Sequence, residues 1–393
     1  VEAERKRGKT KYFGNDDDYL LDGVEAGRVK EACDQLLLNL SKKIVEPVLF
    51  VDTLKDETRP HEKVDAGKTR VFSAAPQHLV LVERQLCAGF ASFMSRNRIS
   101  NECAVGIDAH STEWDTLTLK VMRCGNKMIA GDFTNFDGSL HPQILKECVR
   151  IINEFYGDEW QVEREMLFEH LCHSWHLAED RVYEWSHSQP SGNTLTAILN
   201  TMYHSIAVRM AYYHLEQQQG LSSMVSDTFN QNVSVIVYGD DGLYGVSETV
   251  APWFTMRALV GAYLLAGMTF TSENKDGSIY DHKPIEQCGF LKRGFRKQGP
   301  YWVGPLAQDS INECLNWVKK GANTIIDLQK IAEGCIAEWS LHEKKVFEFW
   351  RDRISLVLMQ RIGAYVLCFE HEKYMQELFY GKFSESFPQL CWA

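Results

Sequence analysis

The chain has 393 residues, 45% of them apolar and 24% charged, and a formal net charge of −11. This is ordinary soluble globular composition, with enough apolar material for two or three subdomains. The acidic total argues weakly against a nucleic-acid partner, but charges more than roughly 10 Å apart are screened from one another, so a local basic channel is compatible with it.

Residues 1–20 are polar, with an acidic triplet at Asp16, Asp17 and Asp18, and form an exposed lead-in without the apolar core of a secretory signal. Leu36, Leu37, Leu40 and Ile44 give 24–44 a helical spacing. Residues 45–60 read as strand-like and end at Pro60. The basic stretch 63–72 follows, and a helix starts after Pro76. Residues 127–133 form a buried strand ending near Asp132. Pro142 opens a helix that runs to Tyr156 and stops at Gly157. Residues 190–220 are a loop and then a long helix closed by Gly220. Residues 232–247 are a hairpin with Gly-Asp-Asp-Gly at its turn. The nearly uncharged run 258–270 is a buried helix, because a bilayer span needs about 20 apolar residues. From 306 onward the pattern is helical with breaks at Gly321, Gly334 and Gly363, a separate helical subdomain. Helices on a small antiparallel sheet make the fold class α+β. The 11 dispersed cysteines, without C-x-x-C, read as reduced thiols in a cytosolic compartment.

The chemistry sits in three stretches: GDFTNFDGS (131–139), SGNTLTAILN (191–200) and YGDD (238–241). Two-metal phosphoryl transfer needs carboxylates that hold two divalent ions about 3.5–4 Å apart. Asp132 at a strand end, with Asp240 and Asp241 in a hairpin turn, supplies them if the two elements are neighbours in one sheet; Gly239 and Gly242 permit the bend. An isolated Asp-Asp-Gly is usually only a turn. Here Tyr238-Gly239, the apolar strand before it and the upstream strand-end Asp have to be explained as well. Asp137 is placed to accept a hydrogen bond from a ribose hydroxyl. Thr196 and Asn200, at i and i+4, share a helix face, which is either a surface polar stripe or the wall of the site. Ser191-Gly192 is then a flexible loop near the nascent base pair.

These motifs resemble, in order, motifs A, B and C of viral RNA-dependent RNA polymerases of the picornavirus-like order. GMTFTSENK (267–275) is similar to motif D, with Lys275 in the place of a proton-donating lysine. FLKR (290–293) is similar to motif E, the primer grip. LKDETR (54–59) and KVDAGKTR (63–70) are similar to motif F. The resemblance runs from about Gly8 to the end, and GDFTNFDGSL leans towards insect-virus members such as dicistroviruses or iflaviruses. It implies a right-hand polymerase fold: fingers 1–89 and 173–189, palm with antiparallel sheet 90–172 and 190–298, helical thumb 299–393. It implies catalysis by Asp132, Asp240, Asp241 and Lys275, the three aspartates holding Mg²⁺, with Mn²⁺ as a substitute. Lys55, Arg59, Lys63, Arg70, Asp137, Ser191, Thr196 and Asn200 would bind the NTP. Lys68, Gly192, Lys292 and Arg293 would bind RNA; the last two belong to a cluster with Arg296 and Lys297 that has no acid within 291–298. Implied partners are template and primer RNA, NTPs, other viral replication proteins and, as one priming mode, a protein primer, in replication complexes of the host cytoplasm.

The sequence starts beyond the place where family chains carry motif G and fingertip strands, so a truncated chain or a piece of a longer precursor is expected, and its activity alone stays open. Two other functions fit less well. A reverse transcriptase shares motifs A to C but usually has a bulky residue where Asp137 stands. An inactive RNA-binding remnant would be expected to have lost a metal carboxylate. Ala66–Thr69 lacks the glycine of a phosphate-binding loop, since position 62 is Glu62. His170, Cys172, His173 and His176 turn progressively around a helix without a second ligand cluster and are set aside as a zinc site.

Overall fold

The computed structural model describes residues 9–15, 18–220, 228–274, 277–318 and 324–381. Two compact units emerge, one of Val1–Asn97 with Asn135–Ile206, the other of Arg98–Thr134 with Ala207–Ala393. Among the described residues no helix is long and apolar enough to cross a membrane.

In the first unit a four-stranded sheet runs in the order Val71–Ala74, Leu49–Leu54, Ser174–Ala178, Arg181–Trp185. The helices Val24–Ser41, Gln77–Arg96, Pro142–Tyr156 and Gln161–Cys172 accompany it. The helix at Pro142 shows how local rules set its bounds. His141 accepts from Gln143 N at 3.2 Å, Pro142 stands where no donor is needed, and Gly157 at φ +58 closes the end onto Asn153 O. Its buried stripe is Leu145, Cys148, Val149 and Ile152. Arg164 ties these helices together. It is 1% exposed, donates to Leu86 O at 3.0 Å and pairs with Asp158 at 2.6 and 2.9 Å.

The segment 170–176 is not one helix. The helix ends at Cys172 and His176 lies in the next strand, with its ring on Asp52 at 3.0 Å and on Ser174 at 2.8 Å. Burial raises the Asp52 carboxyl, and His176 with Ser73 and Tyr183 more than reverses this.

In the second unit the strands Thr269–Ser272, Met128–Thr134, Asp241–Val246 and Val233–Tyr238 lie side by side in that order, every pair antiparallel. Trp114, Leu117, Val121, Met128, Ile236 and Leu243 lead the core behind it. The run 258–270 is two elements. A helix, Met256–Leu265, ends with Leu264 and Leu265 exposed, and Gly267 at φ +75 turns the chain into the edge strand. The helices Gln308–Cys314, Thr324–Trp339, Lys344–Ile362 and His371–Tyr380 enclose a separate core around Trp339 and Phe347. Gly363, at φ +64, ends a helix as expected. Gly334 does not; it lies inside Thr324–Trp339, because a single glycine costs a helix only about 1 kcal/mol. Gly321 is outside the described residues.

A charged junction joins this helical part to the sheet side of its unit. Arg293 donates to Glu338 at 2.7 and 2.8 Å and to Gly304 O at 2.9 Å, while His110 Nε2 sits 3.1 Å from Glu338. Burial would raise the Glu338 carboxyl, but His110 and Arg293 hold it well below the usual range. Glu338→Ala leaves the Arg293 guanidinium buried without its partner, which costs about 3–5 kcal/mol. The expected outcome is a clear drop in the thermal midpoint by calorimetry. Arg293→Met with Glu338→Leu should recover most of the loss; a double variant no more stable than Glu338→Ala would mean that the junction is not the cause.

Candidate active site

Tyr238 pairs with Asp241, so the hairpin connection is only Gly239 and Asp240. Gly239 has φ +59, a region that costs residues with a Cβ roughly 1–2 kcal/mol. Glycine at the first central position is what such a short turn demands. The turn is therefore tighter than Gly-Asp-Asp-Gly: Asp241 and Gly242 already belong to the strand. Gly242 lies opposite Gly131 on Met128–Thr134. That register carries the next residue, Asp132, to the hairpin end. Thr271 pairs with Asp132 on the other side, its hydroxyl donating to Asp132 O at 3.2 Å. A Cβ on Gly131 would meet the Phe270 ring at 2.2 Å, so the edge strand sits this close only over glycine.

The Asp132 and Asp240 side chains lie close enough for each to act on the other's proton. Burial, followed by the negative charges of Asp132 and Asp241, pushes Asp240 up to about 7. Among the described residues no three acidic, His or Cys side chains already form a closed metal cluster. The donors that do meet are carboxylate oxygens whose repulsion a hard divalent cation relieves, and such a set suits Mg²⁺ or Mn²⁺.

Sequence reasoning missed what steadies Asp132 from behind. The edge strand pairs with Met128–Thr134 only as far as Gly131. At the next residue Tyr280 takes over: Ala130 N donates to its hydroxyl at 3.0 Å, and that hydroxyl donates to Ala130 O at 2.8 Å. Lys283 then resumes the ladder with Met128. Its ammonium is paired with half-buried Glu273, which also accepts from Gly289 N at 3.3 Å. A tyrosine 150 positions from its partner leaves no local signal. Lys275 lies outside the described residues.

Arg293, expected at RNA, has its guanidinium on Glu338, and Arg296 donates to Leu341 O at 3.0 Å and His342 O at 3.1 Å. The cluster that has no acid nearby in sequence meets its acid from a distant helix. Lys292 is exposed at the tip of a turn closed by reciprocal bonds between Phe290 and Arg293, both 2.9 Å, with Leu291 and Lys292 at φ +54 and +60.

In the first unit Asn200 donates to Asp137 Oδ1 at 2.6 Å. Burial pushes the Asp137 carboxyl up, against the pull of Asn200 and Lys55. Asn200 Oδ1 is buried with no protein partner. The Thr196 hydroxyl turns back and donates to Asn193 O at 2.8 Å. The 191–192 turn rests on a strand. Ser191 Oγ accepts from Ser73 N at 3.3 Å, and a Cβ on Gly192 would fall 2.0 Å from Ser73 O. Arg59 donates to Glu57 at 2.7 Å and Arg70 at 2.9 Å, and Arg70 with Arg59 brings that carboxyl down to about 2. Lys63 and Lys68 are exposed, and Lys55 is half-buried.

Residues 7–356 match the family model of viral RNA-dependent RNA polymerases. The chain is 36% identical over 384 residues to the replicase polyprotein of Acute bee paralysis virus (strain Rothamsted), covering 95% of this chain and 20% of that protein. It is 36% identical over 368 residues to the replicase polyprotein of Cricket paralysis virus, covering 90% of this chain and 21% of that one. The chain thus spans about a fifth of the curated relatives it matches. The Sicinivirus 3Dpol RNA-dependent RNA polymerase structure superposes with a TM-score of 0.71 at 19% identity, over 88% of this chain and 70% of that one, so the fold is that of a viral polymerase. The lean of GDFTNFDGSL towards insect-virus members agrees with these bee and cricket viruses. The chain belongs to the viral RNA-dependent RNA polymerase family.

Proposed function

We propose that this chain adds ribonucleotides to an RNA 3′ end under the direction of an RNA template, in the replication of a positive-strand viral genome. The observation that carries this is the convergence of Asp132 with Asp240 and Asp241 in a chain of this family. Those three residues would hold Mg²⁺, with Mn²⁺ as a substitute. When bound, such ions lower the pKa of the attacking hydroxyl and stabilise the leaving oxygen. The rest falls to the protein. Lys55 and Lys63 neutralise the triphosphate, and Arg59 and Arg70 join them by exchanging Glu57 for phosphate. Lys275 protonates the pyrophosphate. Asp137 and the free acceptor of Asn200 read the 2′-hydroxyl, with Ser191 and Thr196 shaping the turn before them. Lys68, Gly192 and Lys292 line the RNA path, and Arg293 serves it at one remove by fixing the turn that carries Lys292. The fingers, palm and thumb boundaries, the replication-complex setting in the host cytoplasm, the protein primer and the other viral replication partners belong to this reading and rest on the family and on the replicase relatives.

Asp240→Ala should abolish primer extension on a defined RNA template while the protein stays folded, because several kcal/mol of transition-state stabilisation is lost. Extension at near the parental rate by a folded variant would sink the metal assignment.

The raised Asp240 carboxyl makes the site pH-sensitive. Its folded value of about 7 lies above the ordinary Asp value, so from about pH 4 to 7 the unfolded chain gives up this proton first and folding stability falls as pH rises. Mg²⁺ favours the ionised form. The Mg²⁺-induced rise in thermal midpoint should therefore be larger near pH 7.5 than near pH 5, and Asp240→Asn should remove most of the difference. Equal Mg²⁺ shifts at both pH values would refute it.

Asp137→Ala and Asn200→Ala should each raise relative dNTP use, since a site built to bond a hydroxyl rejects analogues that leave its own groups unpaired. An unchanged NTP/dNTP ratio in both removes the pair from sugar selection.

A further inference from the structure

The helix Thr196–Gln218 begins, like any helix, with N–H groups that have no partner inside it. Asn193 meets some of them: its Oδ1 accepts from Leu195 N at 2.7 Å and its carbonyl from Thr196 N at 3.3 Å. The other partner is remote. Glu83, in the helix Gln77–Arg96, accepts from Thr194 N at 3.0 Å and from the Thr194 hydroxyl at 2.6 Å. It is 2% exposed, and every other buried residue of its helix is apolar. A carboxylate in such a place costs several kcal/mol unless well bonded. Burial does push this carboxyl up, and the Thr194 and Leu195 donors oppose the rise. Packing the helix does not require an acid here. What the acid adds is one oxygen that accepts from both Thr194 donors in the turn before Thr196–Gln218; its other oxygen is buried with no protein partner.

The turn 191–195 is thus held from two sides, on Glu83 and on the Ser73 backbone. Asn200 stands one turn into the helix that this turn starts, with its side chain on Asp137. We infer that Glu83 is a positioning residue for sugar selection: by anchoring Thr194 it sets the first turn of the helix, and so the place of Asn200 against Asp137. The inference rests on the proposed ribose-reading role of that pair.

The test is single-nucleotide extension, with kcat and KM measured separately for one NTP and its matching dNTP. The variants are Glu83→Gln, which keeps shape and removes charge, and Thr194→Val, which removes only the hydroxyl, with Asn200→Ala as reference. Displacement by about 1 Å can cost a reaction roughly a hundredfold, so both variants should lower the NTP/dNTP ratio of kcat/KM by roughly tenfold or more. The double variant should lose little more than the worse single one, because both weaken the same contact. A merely structural Glu83 would slow both nucleotides alike and leave the ratio parental. If Asn200→Ala changes the ratio while both Glu83→Gln and Thr194→Val keep it, the inference falls and the ribose reading stands. If Asn200→Ala keeps it too, both fall. Should Glu83→Gln fail to fold, Thr194→Val decides alone.

Discussion

Three carboxylates at the end of one sheet repel each other, and the second unit is arranged to hold them there. The pairing of Gly131 with Gly242 does this most directly, since it sets Asp132 next to the Gly239–Asp240 turn. A slip of one residue would send each side chain to the opposite face and would separate the acids. The register is secured from both edges of Met128–Thr134. On one side Phe270 occupies the space where a Gly131 side chain would stand. On the other, Gly245 lies so close to Val121 O that a Cβ would meet it at 1.8 Å. Glycine is needed at these strand positions for close approach, not for flexibility.

Glu57 holds Arg59 and Arg70, Glu338 holds Arg293, Glu273 holds Lys283, and Glu83 holds Thr194. These acids act as internal struts, three for cations and Glu83 for the turn before a helix. Net charge is a poor guide to such a protein because the acids and bases that matter are neutralised pairwise.

Local chemistry was readable in advance. Pro142 and Gly157 bound a helix, a run of β-branched residues marked the hairpin, and Gly239 marked its turn. These signals lie within a few positions of the feature they specify. What could not be read was anything fixed by a distant partner. Residues 291–298 contain no acid, yet Arg293 finds Glu338 45 positions on. Tyr280 patches a sheet edge at Ala130, which no periodicity encodes. Thr196 and Asn200 share a spacing that suggested one working face; the helix start claimed the Thr196 hydroxyl instead. The run 258–270 looked like one buried helix because hydropathy alone does not register Gly267, whose positive φ splits it.

The cation partners also divide by how readily they can be exchanged. Arg70 is 62% exposed beside Glu57, and exposed pairs of this kind contribute about 0–1 kcal/mol. A phosphate-bearing ligand would offer such an arginine more charge and the same bidentate geometry, so the Arg70–Glu57 pair is one that a ligand in solution can replace. Arg293 and Glu338 are mostly buried, with Gly304 O and His110 completing their bonds. Removing one member there strands a charge, at about 3–5 kcal/mol, and no solvent-borne phosphate can reach in to compensate. The same kind of residue pair is thus exchangeable at Arg70 and permanent under the turn that carries Lys292, and the exposure of the arginine is what makes the difference.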